Sequence, residues 1–186
     1  YLIQTPKLRL PFGMNVREHE NRANSYSLAL SFDNFKNNSP VEIEFVRGIQ
    51  LIDERIKKLA CENSKEWFKK TMKQDVIDEL FRPSIKYSDE WPPLFTAKLP
   101  YYNEKFTCDF YDQNRTKCTG TSTVLNSVST NCNAIALIQL NSLWFVDKQF
   151  GCTWSIKQCQ IFPSPSHEMR NSFLINNEED DDCAED

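Results

Sequence analysis

The side chains that could do chemistry in this sequence are lysines and arginines set among aromatic rings. Lys7 and Arg9 precede Phe12, Lys86 adjoins Tyr87, Lys98 precedes Tyr101 and Tyr102, and Lys105 adjoins Phe106. Trp144, Phe145, Lys148, Phe150, Trp154 and Lys157 then follow in one stretch. A cation neutralises a phosphate, and an exposed ring stacks on a base, which is worth about 1–3 kcal/mol per base. Strands can present both, because alternate residues face one side. The pattern points to a single-stranded nucleic acid held by charge and stacking with little sequence preference. Lys7, Arg9, Lys86, Lys98, Lys105 and Lys157 are the candidates for phosphates. Tyr101, Tyr102, Trp144 and Phe150 are the candidates for bases. Tyr26, Phe32, Phe45 and Phe110 read instead as core.

Other chemistries find little support. There is no G-x-x-x-x-G-K-[ST] or G-x-G-x-x-G, and four glycines give a phosphate-cradling loop little to be built from. His19 and His167 are the two histidines, and neither adjoins a nucleophile or a metal-ligand partner. The pairs Asp109/Asp112 and Asp89/Glu90 read as solvated carboxylates rather than an acid–base couple. The seven cysteines (61, 108, 118, 132, 152, 159, 183) form no Cys-x-x-Cys pair, and their number is odd. That argues against a zinc site and a secreted disulfide framework. The expectation is a binding protein with no cofactor, no metal, no membrane segment and no signal peptide, with reduced thiols in an intracellular setting. An aromatic strand face could alternatively dock a protein partner, with no direct contact to nucleic acid.

Charge is divided unevenly. The whole chain carries −4, from 22 basic and 26 acidic residues. The last nine residues, Glu178–Asp186, hold seven of the acids and no base; without them 19 acids face 22 bases, a net +3. A basic body with an acidic end suggests a polyanion binder that carries its own competitor.

The elements that must position these residues follow from periodicity. Tyr1–Leu10 reads as an edge strand stopped at Pro11-Phe12-Gly13. Tyr26, Leu28, Leu30 and Phe32 alternate as the buried side of a strand. Ser39-Pro40-Val41-Glu42 supplies a cap, a helix-starting proline and a capping-box glutamate. Phe45, Ile49, Ile52, Ile56 and Leu59 continue at helical spacing, giving a helix over about 40–60. Thr71-x-x-Gln74 signals a second helix, about 72–81, ended by Pro83, and Asn63–Lys70 reads as a short one between. Leu94–Leu99 and Phe106–Tyr111 read as strands of a hairpin. Residues 112–133 are polar and aperiodic, so they read as a mobile loop. Ile135–Leu140, Leu143–Val146 and Phe150–Phe162 resume strand character, and 163–186 reads as linker and acidic tail. Strands, helices, then strands exclude strict β-α-β alternation. The fold class is mainly β: one OB-like antiparallel Greek-key barrel over 1–162 with a helical insertion at about 40–82.

Several runs carry a family resemblance. They are Gln4–Gly13, Tyr26–Phe32, Ser64–Lys70, Pro83–Tyr87, Lys98–Pro100, and Leu143-Trp-Phe with Phe150-Gly-Cys-Thr-Trp154. Together they resemble a family of single-stranded-DNA-binding proteins with an oligonucleotide/oligosaccharide-binding (OB) fold, found in nucleocytoplasmic large DNA viruses. The resemblance covers about residues 1–162, with 113–133 departing from it. In layout the chain is also similar to phage single-stranded-DNA-binding proteins with acidic tails. These resemblances imply single-stranded DNA as ligand and a role in viral DNA replication, repair or recombination. They also imply a location at replication sites in the host cytoplasm or nucleus, and replication proteins as partners of the tail.

Overall fold

A computed structural model describes residues 2–20 and 23–164. The acidic tail, and all of the expected linker except Pro163 and Ser164, lie outside the described residues. Five strands carry the architecture: β1 (Leu8–Leu10), β2 (Ser25–Ser31), β3 (Leu94–Leu99), β4 (Cys132–Val146) and β5 (Gln149–Phe162). Shorter strands are named by their residues. β1 meets β2 at Arg9–Ser31, and β2 pairs with β3 from Tyr26–Leu99 to Ser31–Leu94. β3 touches β5 at Lys98–Ser155, β5 pairs along its length with β4, and β4 returns to β1 at Cys132–Leu10. The circuit 1-2-3-5-4-1 is the Greek-key closure of an OB barrel.

One feature of the expected pairing needs correction. The sequence pointed to antiparallel neighbours throughout, but β3 meets β5 in parallel, as do Phe81–Arg82 and Asp109–Tyr111. β5 is long enough for three partners in succession along the edge that β4 leaves open. The proposed hairpin of 94–99 with 106–111 gives way for the same reason: β3 and Asp109–Tyr111 both pair with β5. The hairpin that does form is smaller, Tyr101–Tyr102 against Lys105–Phe106. Asn103 and Glu104 turn it at φ 47° and 60°, the double positive φ of a tight two-residue turn. Residues 135–146 form one strand rather than two, with an irregularity at Asn141.

The core follows the alternation. Leu28, Leu30 and Phe32 of the β2 segment, Phe95 and Ala97 of β3, and Trp154 and Ile156 of β5 are all buried inside the barrel. Each large side chain buried in this way contributes about 1.5–3 kcal/mol. Gly13 explains the Pro-Phe-Gly turn after β1. Its φ is +61°, and a Cβ there would lie 2.9 Å from the Val128 carbonyl oxygen, so no other residue fits. Beyond the turn, Met14–Arg17 resumes pairing on β2.

Helices α1 (Pro40–Glu62), α2 (Ser64–Phe68) and α3 (Gln74–Leu80) form the insertion between β2 and β3. The cap chemistry differs from the sequence reading. Ser39 makes no side-chain cap, and Glu42 turns back to accept from the Asn34 backbone N–H at 3.1 Å and its Nδ2 at 3.2 Å. Thr71 lies outside α3, which begins three residues later. α1 serves two cores: Val46 and Ile49 pack on the barrel, while Ala60 joins Ile77, Phe81 and Phe150. The stretch 112–133 is not an unstructured loop. It holds the short strand Lys117–Cys118 and helix α4 (Thr121–Ser127), with Val124 and Val128 in the barrel core. Seven residues are too few to display a helical period.

Candidate nucleic-acid interface

Because Phe95, Ala97 and Leu99 point inward, Thr96 and Lys98 point outward from β3. By the same alternation Thr153 and Ser155 face outward on β5, opposite the buried Trp154 and Ile156. Cross-strand register then sets one polar row: Asn15, Ser27, Lys98, Ser155 and Gln139. The next rows along the β4–β5 hairpin are Ser142–Thr153 and Trp144–Gly151. A groove of about 210 Å³ opens over this surface, with Lys98, Tyr101, Asn141, Thr153 and Ser155 in its lining and no carboxylate among the described residues that line it. Ser155 is 3% exposed, and its Oγ has no hydrogen-bond partner among the described residues.

The structure brings some of the sequence candidates together. Lys98 is exposed and lines the groove. Tyr101 forms one wall, half-buried against Tyr26 and Phe106 at ring distances of 4.6 and 5.0 Å. Loss of solvent and the neighbouring Tyr26 push its phenol pKa up, so it stays neutral. Tyr102, beyond it, is 71% exposed. Trp144 lies across Gly151, where an added Cβ would sit 2.9 Å from the indole, so one ring face is covered and the residue is half-exposed. Lys157 is exposed two residues beyond Ser155, at the register shift of β5. Lys86 is exposed opposite Leu94, four residues from Lys98 and about 13 Å along the strand. Lys105 is exposed opposite Tyr102 and borders a different groove with Asp109 and Lys117.

Three candidates are corrected. Phe150 cannot stack on a base: it is fully buried, between Phe68, Phe81 and Phe145. Its alternation was sound, but the face it marks packs on the helical insertion. Arg9 is committed to the fold. Its guanidinium donates to both Asp33 oxygens, at 2.5 and 2.9 Å, and to Asn131 Oδ1 at 2.8 Å. Lys7 sits elsewhere, its Nζ 4.0 Å from the Phe162 ring centroid. Phe162 is seven residues along β5 from Ser155, about 23 Å at the rise of a strand. Three rings not offered as base candidates, Trp91, Phe12 and Tyr87, are 66%, 59% and 54% exposed, and the first two adjoin prolines.

Among the described residues no cluster of three or more His, Cys, Asp or Glu is placed to hold a metal. Asp53 is buried and accepts from Ser84 N–H at 2.8 Å and Ser84 Oγ at 2.7 Å, while Trp154 Nε1 donates to the same Oγ at 2.8 Å. Those bonds commit the Ser84 hydroxyl to the fold. Burial pushes the Cys108 and Cys132 thiols up to about 11 and Cys152 to about 12, so they are weak nucleophiles.

A family model described as a family of unknown function (DUF5871) matches residues 30–174. The chain belongs to that family. An uncharacterized protein of Acanthamoeba polyphaga mimivirus is 25% identical over 98% of the chain, which spans only 30% of that relative's length. The fold is similar to the single-stranded DNA-binding protein of bacteriophage Enc34 in complex with single-stranded DNA. There the TM-score is 0.55 and the identity 13%, over 86% of this chain and 84% of that one. It is also similar to a single-stranded DNA binding protein encoded by bacteriophage T7. That match has a TM-score of 0.57 and 8% identity, over 95% of this chain and 97% of that one. At such identities the likeness concerns the fold.

Proposed function

We propose that the protein binds single-stranded DNA with little sequence preference along the outward face of β3, β5 and β4. The observation that carries this reading is the groove at Lys98, lined by no carboxylate among the described residues, where a cation, hydroxyls and the Tyr101 ring share one surface of an OB barrel. OB barrels bind oligonucleotides on the face of their second and third strands and on the loops at its ends. β2 and β3 hold that position here, and the β4–β5 hairpin supplies one of the loops. Lys86 and Lys157 extend the positive track, while Tyr102 and Trp144 offer ring faces to bases. The ligand of the Enc34 neighbour supports the choice of single-stranded DNA. The mimivirus relative supports a viral setting. In that setting the proposed action is in DNA replication, repair or recombination at replication sites in the host cytoplasm or nucleus. The role is binding rather than catalysis. The acidic tail competes with DNA for the groove and, once displaced, recruits replication proteins.

Titration of a fluorescein-labelled oligo-dT tests the reading. Anisotropy should report tight binding at low salt, with log K falling by about 0.7 per phosphate contacted for each decade of salt. Duplex of the same length should bind more weakly. No binding at low salt, or equal affinity for duplex, sinks the proposal.

A further inference from the structure

We infer that Lys98 and Ser155 form a seat for one backbone phosphate of the bound strand, with Thr153 as a further donor; this rests on the single-stranded DNA reading above. Ser155 Oγ is the buried side-chain oxygen left without a hydrogen-bond partner among the described residues. A buried hydroxyl in that state costs stability unless something arrives to meet it. It stands directly opposite Lys98 in the β3–β5 register, so the two side chains share one face.

The groove's chemistry selects the ligand. Its hydroxyls come from Ser25, Thr153, Ser155 and tyrosines, its amides from Asn24 and Asn141 and its charge from Lys98, with no carboxylate among the described residues that line it. A single positive charge among rotatable donors suits a singly charged phosphodiester with several acceptor oxygens. Trp144 lies on the next row beyond Thr153, about 7 Å away along the strand, so a seated phosphate brings its base within reach of the indole.

The test uses the full chain, fluorescein-labelled oligo-dT and three variants. Ser155→Ala removes an unpaired buried hydroxyl, so its melting temperature should match or exceed wild type while its affinity falls about 10-fold. Lys98→Ala should lower affinity and reduce the salt slope by about 0.7, the loss of one phosphate contact. Thr153→Val keeps the shape and should lower affinity about threefold with no change in melting. Wild-type affinity in Ser155→Ala and Thr153→Val overturns the seat and leaves the wider DNA reading standing. So does an unchanged salt slope in Lys98→Ala, or a Ser155→Ala protein that loses its fold. A wild-type protein that binds no oligo-dT at low salt overturns both.

Discussion

Phe145 and Phe150 face each other across the β4–β5 hairpin, their rings 5.8 Å apart and 9° from parallel. The pair closes against Phe68 of α2, and Phe150 also packs on Phe81. The hairpin therefore has two different sides. One is stapled to the helical insertion, and the other, bearing Trp144, Thr153 and Ser142, faces the groove.

That division predicts opposite outcomes for two aromatic truncations. Phe150→Ala should cost about 3–5 kcal/mol of folding stability through the cavity it leaves. Its remaining folded fraction should bind DNA normally. Tyr102→Ala should change stability by less than about 0.5 kcal/mol and weaken DNA binding by about 1–3 kcal/mol. Urea unfolding and anisotropy on the same preparations separate the two. A Phe150→Ala protein of native stability that fails to bind DNA would return this ring to the interface.

Arg9 tests whether a basic residue near the barrel serves DNA or the fold. Burial raises the Asp33 pKa, but hydrogen bonds from Arg9 and Ser31 outweigh it and hold the carboxyl below its ordinary value. Such a group stabilises the protein above the unfolded carboxyl pKa of about 3.9, and that contribution is lost as pH falls through the lower folded value. The pair is partly exposed, so Arg9→Ala should cost about 1 kcal/mol at neutral pH. The gap between wild type and Asp33→Asn should shrink in acid. Arg9→Ala should leave the salt slope of DNA binding at the wild-type value; a slope reduced by about 0.7 would place Arg9 on a phosphate.

Much of the scaffold was legible because its signals are local. The Pro40 start and apolar spacing of α1, and the alternation of Tyr26–Phe32, depend only on near neighbours in the chain. What was not legible depends on pairing at a distance. Nothing in Leu94–Leu99 announces that its end joins Ser155 in parallel, and nothing in Thr121–Ser127 announces that Val124 enters the barrel. The site divides in the same way. Lys98, Tyr101, Tyr102 and Trp144 could be offered as candidates because charge near a ring is a local pattern, and the structure leaves Lys98 and Tyr102 exposed and Tyr101 and Trp144 half-exposed. Phe150 was misassigned because the alternation of a strand marks two faces without saying which is covered. Ser155 was not among the candidates because a serine between Trp154 and Ile156 looks ordinary until Lys98 is placed opposite it.

Asp53 carries a second pH signature, of opposite sign. Burial raises its pKa, against hydrogen bonds from Ser84 that pull it down. A carboxyl with a raised folded pKa gives its full stabilisation below about pH 3.9, and loses it as pH rises through the folded value. Asp53→Asn keeps an acceptor for Ser84 and removes the titration. The variant's stability relative to wild type should therefore improve as pH rises from about 4 to 7 in urea unfolding. Asp53→Ala leaves the Ser84 N–H without its partner and should cost about 1–3 kcal/mol at any pH in this window. A constant difference between Asp53→Asn and wild type across the range would show that the carboxyl titrates normally.

The acidic end gives the last prediction. Its seven acids in nine residues outweigh the net +3 of the rest of the chain, so the proposed intramolecular contest for Lys98 and its neighbours would be electrostatic in origin. Truncation after Asn177 should raise affinity for oligo-dT several-fold at low salt. The gain should fade as the screening length drops from about 10 Å at 0.1 M salt to about 3 Å at 1 M. The truncated protein should also show a steeper salt slope, because DNA no longer displaces a competitor that salt weakens in parallel. Equal affinities with and without the nine residues at low salt would reduce the tail to a solubilising segment, and the Lys98 groove would stand without it.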